Sequence, residues 1–190
     1  HLLPDRWSTA GHALVLVAIV VVGTLASMRN DLVTGRNGVD AAWAQVDAAL
    51  QRRADLIPNL VETVKGYAKQ EQTVFKDIAD ARAALGGARN TQERLDANNQ
   101  LTNALSRLLV IVENYPQLRS NESFNRLMDE LAGTENRINV ERRKYNETVQ
   151  KYNTDIQLFP KNLAAATFGF TPQPYFKADT AARTAPNVKF

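Results

Sequence analysis

The chain has 190 residues, 44% of them hydrophobic, enough for one domain of ordinary size plus an anchor. Its 23 basic and 20 acidic residues leave a net charge of +3, a nearly balanced surface without the basic footprint of a nucleic-acid-binding protein. The absence of cysteine excludes a disulfide framework, thiol catalysis and cysteine metal sites, and leaves the redox compartment open.

From Trp7 to Met28 run 22 residues without a charge, bounded by Arg6 and Arg29 and most apolar from Leu14 to Val22. As a helix this stretch is long enough to span a bilayer. A cleaved signal peptide is the competing reading, but Ala26-Ser27-Met28 makes a poor small-residue cleavage site. Trp7 falls at headgroup level and His12 near the membrane edge. Gly23 and Ser27 form one small-xxx-small step, a candidate transmembrane self-contact where two such helices approach closely. Arg6 before the span against Arg29 and Arg36 after it leans toward a cytoplasmic C-terminal domain, and a few basic residues ahead of His1 would reverse it. Sidedness is therefore unresolved.

Beyond Asn30 and the loosening pair Gly35 and Gly38, apolar residues recur at steps of four and three, the pattern of helices that bury one stripe. One register runs Val39, Val46, Arg53, Leu60, Tyr67, Val74, Ala81. Its companion runs Trp43, Leu50, Ile57, Val64, Glu71, Ile78, Leu85, and only Arg53 and Glu71 in the two carry charge. Such a helix reaches about 70 Å at 1.5 Å per residue. Pro58 removes one backbone donor and crowds the carbonyl four residues back, which predicts a kink or a short break there. Gly86-Gly87 ends this stretch.

A second helix is expected from Thr91, capped by the Thr91 hydroxyl, with the stripe Leu95, Leu101, Leu105, Leu108, Val112, and closed by Tyr115-Pro116. A third starts after the capping residues Ser120-Asn121 and carries Phe124, Leu131, Ile138, Tyr145, Tyr152 and Phe159 at every seventh place. Pro160 stops it, a short helical piece from Lys161 to Thr167 follows, and Gly169 ends that. From Thr171 the composition turns to proline, alanine and threonine, as in an extended or disordered tail. The expected architecture is all-α: a flank and transmembrane helix over 1–29, an elongated antiparallel bundle of long, coiled-coil-like helices over 30–170, and the tail over 171–190.

Residues for chemistry are few. The only histidines are His1 and His12, so the bundle holds no imidazole base or ligand, and Gly86-Gly87 opens no phosphate-binding loop. No catalytic, cofactor or metal residues are expected. Three constellations are candidates for a structural clamp or an interaction. Asp55, Asn59 and Glu62 share a helix face around Pro58; they are placed to hydrogen-bond backbone groups freed by the proline, or less favourably to hold a hard cation. Arg53 sits in a core register and needs an acidic partner if buried, with Glu113, Glu135 and Glu141 the candidates. Between Glu135 and Glu147, Arg137 can pair with Glu141 and Arg143 with Glu147, while Arg142-Arg143-Lys144 offers a docking patch for an acidic partner or lipid surface.

Several motifs in order resemble the LemA family of bacterial membrane proteins: Leu32-Val33 with Arg36-Asn37, Ala42-Trp43, the run from Arg52 through Pro58 to Ala68, Glu113-Asn-Tyr-Pro116, Thr134-Glu-Asn-Arg137, Arg142-Arg143, Tyr145-Asn146, Tyr152-Asn153-Thr154 and Phe159-Pro160. Together they cover roughly Asn30 to Phe176. The resemblance implies an N-terminal anchor in the bacterial cytoplasmic membrane, a helical bundle, and envelope organisation in the company of membrane proteases and similar proteins; it supplies no activity. This chain departs from the family pattern at Asn30-Asp31, where members often have Tyr-Asn, and at Lys177, where they end in an acidic residue. The expected function is a non-enzymatic homo-oligomeric scaffold in contact with membrane lipid. An adaptor that regulates a membrane protease or phosphatase through the charged helix face is the alternative.

Overall fold

The computed structural model describes residues 5–176, with side chains from residue 9 onward. Among these residues the chain is all-α: α1 Asp5–Lys65, α2 Gln72–Gly87, α3 Thr91–Val112, α4 Pro116–Arg119, α5 Glu122–Asp155 and α6 Lys161–Phe168, with no strand. Two compact units are distinguishable among the described residues, one of 5–41 with 146–175 and one of 42–145 with Phe176. The tail expected from Thr171 falls mostly on 177–190, outside the described residues.

In the larger unit, α2 turns back on α1, since Lys65 lies over Phe75 and Arg82 reaches Ala54. The third helix, α3, then runs antiparallel to α2, as the pairs Leu85 with Arg94 and Asp77 with Arg107 require. Finally α5 descends beside α1, pairing Glu130 with Arg52 and Glu135 with Arg53. The result is an up-down-up-down arrangement whose core contains Leu60, Val64, Ile78, Leu101, Leu108 and Leu118 with almost no exposed surface. Each such side chain contributes about 1.5–3 kcal/mol on burial.

Three local expectations are corrected here. The α1 helix passes through Pro58 without a break and ends at Lys65; the reversal lies at Gly66 to Glu71. The reason is visible at Ala54. Its carbonyl is the one that the missing amide of Pro58 would have used, and Arg82 Nε of α2 donates to it at 3.2 Å. Gly66 has poor helix propensity and begins a polar stretch, so the chain turns there, and both registers stay buried because α1 and α2 face the same core. Tyr67 is the register position that falls out of the core, half-exposed at the turn. Secondly, α3 is capped by Asn90, not Thr91: Asn90 Oδ1 accepts from the Glu93 amide at 2.9 Å, and Glu93 Oε2 accepts from the Arg89 amide at 2.8 Å. Thirdly, Gly35 and Gly38 lie within continuous helix, where they admit close approach instead of loosening the chain. A Cβ on Gly35 would stand 3.2 Å from Tyr152 Cδ2.

In the smaller unit the lower part of α1 therefore packs tightly on the end of α5, Gly35 against Tyr152 and Gly38 facing Thr148. Asn121 caps α5 by accepting from the Phe124 amide at 2.9 Å, as expected. Pro160 precedes α6, and Gly169 closes it at φ 74°, the left-handed conformation that favours glycine. Asn153 then captures the returning chain in both directions, Nδ2 donating to the Gln173 carbonyl at 2.9 Å and Oδ1 accepting from the Gln173 amide at 2.8 Å.

The pairing of Arg82 with the carbonyl freed by Pro58 predicts a coupling between the two. Arg82→Ala should lower stability by about 1 kcal/mol, a shift of about 2–4 °C in thermal unfolding of the detergent-solubilised chain followed by circular dichroism. In a Pro58→Ala background the amide of residue 58 returns to Ala54, so the same change should cost less. Equal losses in both backgrounds would refute the pairing.

Candidate functional site

Arg53 occupies a register position on α1 whose neighbours in that register, Val46 and Leu60, are core residues, so its guanidinium is carried into the bundle. Its Nη1 meets Glu135 Oε2 of α5 at 2.7 Å, and donates to Asn98 Oδ1 and, at 2.9 Å, to Thr102 Oγ1 of α3. Of the three carboxylates considered from sequence, Glu135 is the partner. Burial pushes the guanidinium below its ordinary range and the Glu135 carboxylate draws it back up. One buried donor, Nε, has no acceptor. The cluster ties three helices at one level and is flanked by Asp47 with Arg94 Nε at 2.6 Å and by the exposed pair Arg52 with Glu130 at 3.1 Å. The exposed pair contributes little.

The other sequence candidates separate. Asp55, Asn59 and Glu62 are exposed on α1; Asp55 accepts from Gln51 Nε2 at 2.9 Å, and the carbonyl freed by Pro58 is met by Arg82 instead of by any of the three. Glu62 lines an apolar cleft of about 460 Å³ between α1 and α2, whose walls include Ile57, Pro58, Val61, Phe75 and Ile78. Among the described residues no group of three or more His, Cys, Asp or Glu is placed to hold a metal.

Arg142, Arg143 and Lys144 have different surroundings. Arg142 is half-buried with its guanidinium 6.0 Å from the Phe176 ring, Lys144 Nζ lies 3.7 Å from Glu141, and Arg143 is exposed. Arg137 pairs with Glu141 at 2.8 Å as expected, whereas no Arg143–Glu147 ion pair forms. Gly23 and Ser27 are exposed on α1, and a Cβ on Gly23 would meet nothing.

Sequence reasoning missed three contributors, Asn98, Asn153 and Phe176, and the burial of a fourth, Glu141. Glu141 is buried between two exposed basic partners, although its place between Ile138 and Tyr145 on the α5 stripe was a signal. Asn98 and Asn153 are buried asparagines inside helices, where the residue is disfavoured unless its amide is used. Phe176 is buried against Trp43 and Tyr145, with ring centroids 5.5 and 4.4 Å away, so the chain is docked at that residue.

The arrangement is a structural clamp with apolar and charged surfaces around it. Among known proteins, the model of the LemA family matches residues 42–190. Magnetosome protein MamQ 2 of Paramagnetospirillum magneticum is 28% identical, with the match covering 91% of this chain and 75% of the relative. Magnetosome protein MamQ of Magnetospirillum gryphiswaldense is 27% identical over 90% of this chain and 72% of its own length. Protein LemA of Metamycoplasma hominis is 22% identical over 72% of this chain and 63% of its own.

All three contacts of Arg53 run through Nη1, which serves acceptors on two helices at once, so Arg53→Lys should not substitute for it. A loss of about 2 kcal/mol is expected in denaturant unfolding of the full chain, since the lysine side chain is one bond too short to carry its nitrogen to the place of Nη1. A lysine variant as stable as the native chain would show that charge alone suffices.

Proposed function

This chain belongs to the LemA family, and on that footing we propose that it is a single-span, non-enzymatic organising protein of the bacterial cytoplasmic membrane, which self-associates and presents its helical bundle as a scaffold. The observation that carries this reading is the exposed apolar part of α1. The large side chains from Leu14 to Val22 are between 51% and 71% exposed, none of the apolar window is buried, and the helix is long and apolar enough to cross a membrane. Leaving aliphatic side chains of that size in water forgoes about 1.5–3 kcal/mol each, which lipid would supply. A helix is also the form in which a lone span satisfies its own backbone groups.

Relatives described as magnetosome proteins support a place in membrane organisation. The sequence supports a non-enzymatic role, with no cysteine and no histidine beyond His12. Self-association has two surfaces in its favour: the Gly23–Ser27 step, where a second span could approach with no side chain in the way, and Leu109 and Val110, exposed on α3.

Light scattering of the detergent-extracted full chain tests the reading. A discrete oligomer is expected, and Gly23→Leu with Ser27→Leu should lower its mass if the span carries the contact. A strict monomer in several detergents and in lipid nanodiscs would overturn self-association and redirect the search to a protein partner of the charged α5 face.

A further inference from the structure

We propose that the α5–α6 turn and the outward face of α6 lie in the interfacial layer of the same bilayer that α1 crosses, giving the protein a second, monotopic contact with lipid. The inference rests on the reading of α1 as a membrane span. Its first ground is position. Lys161, the first residue of α6, has its Nζ 3.9 Å from Asp31 and 3.6 Å from Asp155, and Phe168, the last, lies with its ring 5.7 Å from the Arg29 guanidinium. Arg29 and Asp31 are the first charged residues after Met28. Both ends of α6 are thus tied to α1 within one helical turn of the place where the apolar span ends.

The second ground is the inverted character of the helix. A helix on a water-exposed surface buries its large apolar residues and shows polar ones. Here the small residues Ala164 and Ala165 are buried, while Leu163 is 53% and Phe168 43% exposed. The turn before it continues the same surface, with Leu158 at 57% and Phe159 at 78%, the latter the most exposed large hydrophobic residue of the described chain. Pro160 and Gly169 confine this surface to one short piece, and the Asn153 pair with Gln173 fixes the chain on α5 beyond it.

Lipid is the occupant that fits these facts together. Aromatic and aliphatic side chains at the end of a span, with basic residues beside them, match the boundary between acyl chains and headgroups. Arg29 has a long apolar stem and can lift its charge toward phosphate while Phe159 and Leu163 enter below, Lys161 staying paired with Asp31 and Asp155. Burying this surface would also fix the rotation of α1 about its own axis, which a lone span leaves free.

The lack of native cysteine makes the test direct. Spin labels are placed singly through Phe159→Cys, Leu163→Cys, Val20→Cys and Asn103→Cys in the full chain, reconstituted in vesicles of mixed phosphatidylcholine and phosphatidylglycerol. Collision with oxygen, which enters lipid, is compared with collision with a nickel chelate, which does not. Labels at 159 and 163 should collide with the chelate several-fold less than the label at 103, remain open to oxygen, and lie shallower than the label at 20. Chelate access equal to that at 103 would overturn the proposal. Shielding from both reagents would overturn it too, since it marks a protein contact such as a second copy. A water-exposed label at 20 would overturn the span reading itself, so the two failures are distinguishable.

Discussion

A guanidinium in an apolar core is costly to desolvate, and the helices around Arg53 are placed so that it can be tolerated. Arg53 is reached by a carboxylate from α5 and by two side-chain oxygens from α3. A slip of one helix by a turn would carry these groups apart. Apolar stripes alone specify that helices pack, but leave slips by a turn close in energy. A buried charge that finds its partners in one register only raises the energy of the slipped forms. The reach of Arg82 to Ala54 does the same for α2, at the point where Pro58 has left an acceptor open.

Both polar fixtures lie within five residues of Pro58 on α1, and the second explains why a proline is accepted in the helix interior. The penalty of a helix-internal proline has two parts, a missing hydrogen bond and a steric clash with the preceding turn. The first is met from outside by an arginine, and Pro58 itself is exposed, where the turn has room to adjust. The helix yields instead at Gly66, where no partner compensates for the lost propensity.

The apolar stripes made the helices legible in the sequence, because burial of one face is a local property with a fixed period. The all-α class, the approximate ends of α3 and α6 and the core placement of Arg53 all follow from it, whereas α5 ends at Asp155 and Phe159, the last place of its stripe, is exposed. The position of the α1–α2 turn did not, since a register that continues across a reversal looks the same as one that continues along a helix. Glu135 could be narrowed only to one of three carboxylates, because pairing is settled by the rotation of α5 about its axis and not by its period. Burial of Glu141 and capture of Phe176 by Trp43 and Tyr145 depend on tertiary approach in the same way.

Exposed apolar side chains in this protein have more than one cause. On the proposed reading the covering of Leu14 to Val22 is lipid; Leu109 and Val110 belong to the unit that contains no part of the apolar stretch. The set around α6 lies between these cases in chemistry. It is too short to span anything, yet it is fixed by ion pairs and a cation–ring contact to the residues at which the span ends. What separates these three is where they sit: the first is the apolar stretch itself, the third is tied to the residues at which that stretch ends, and the second lies in the other unit. Local charge does not sort them, since Arg107 is as near to the α3 pair as Glu113, and Asp31 and Asp155 stand with Lys161 at α6. On the proposed reading it is position beside the end of α1's apolar stretch that makes lipid the covering of the α6 surface.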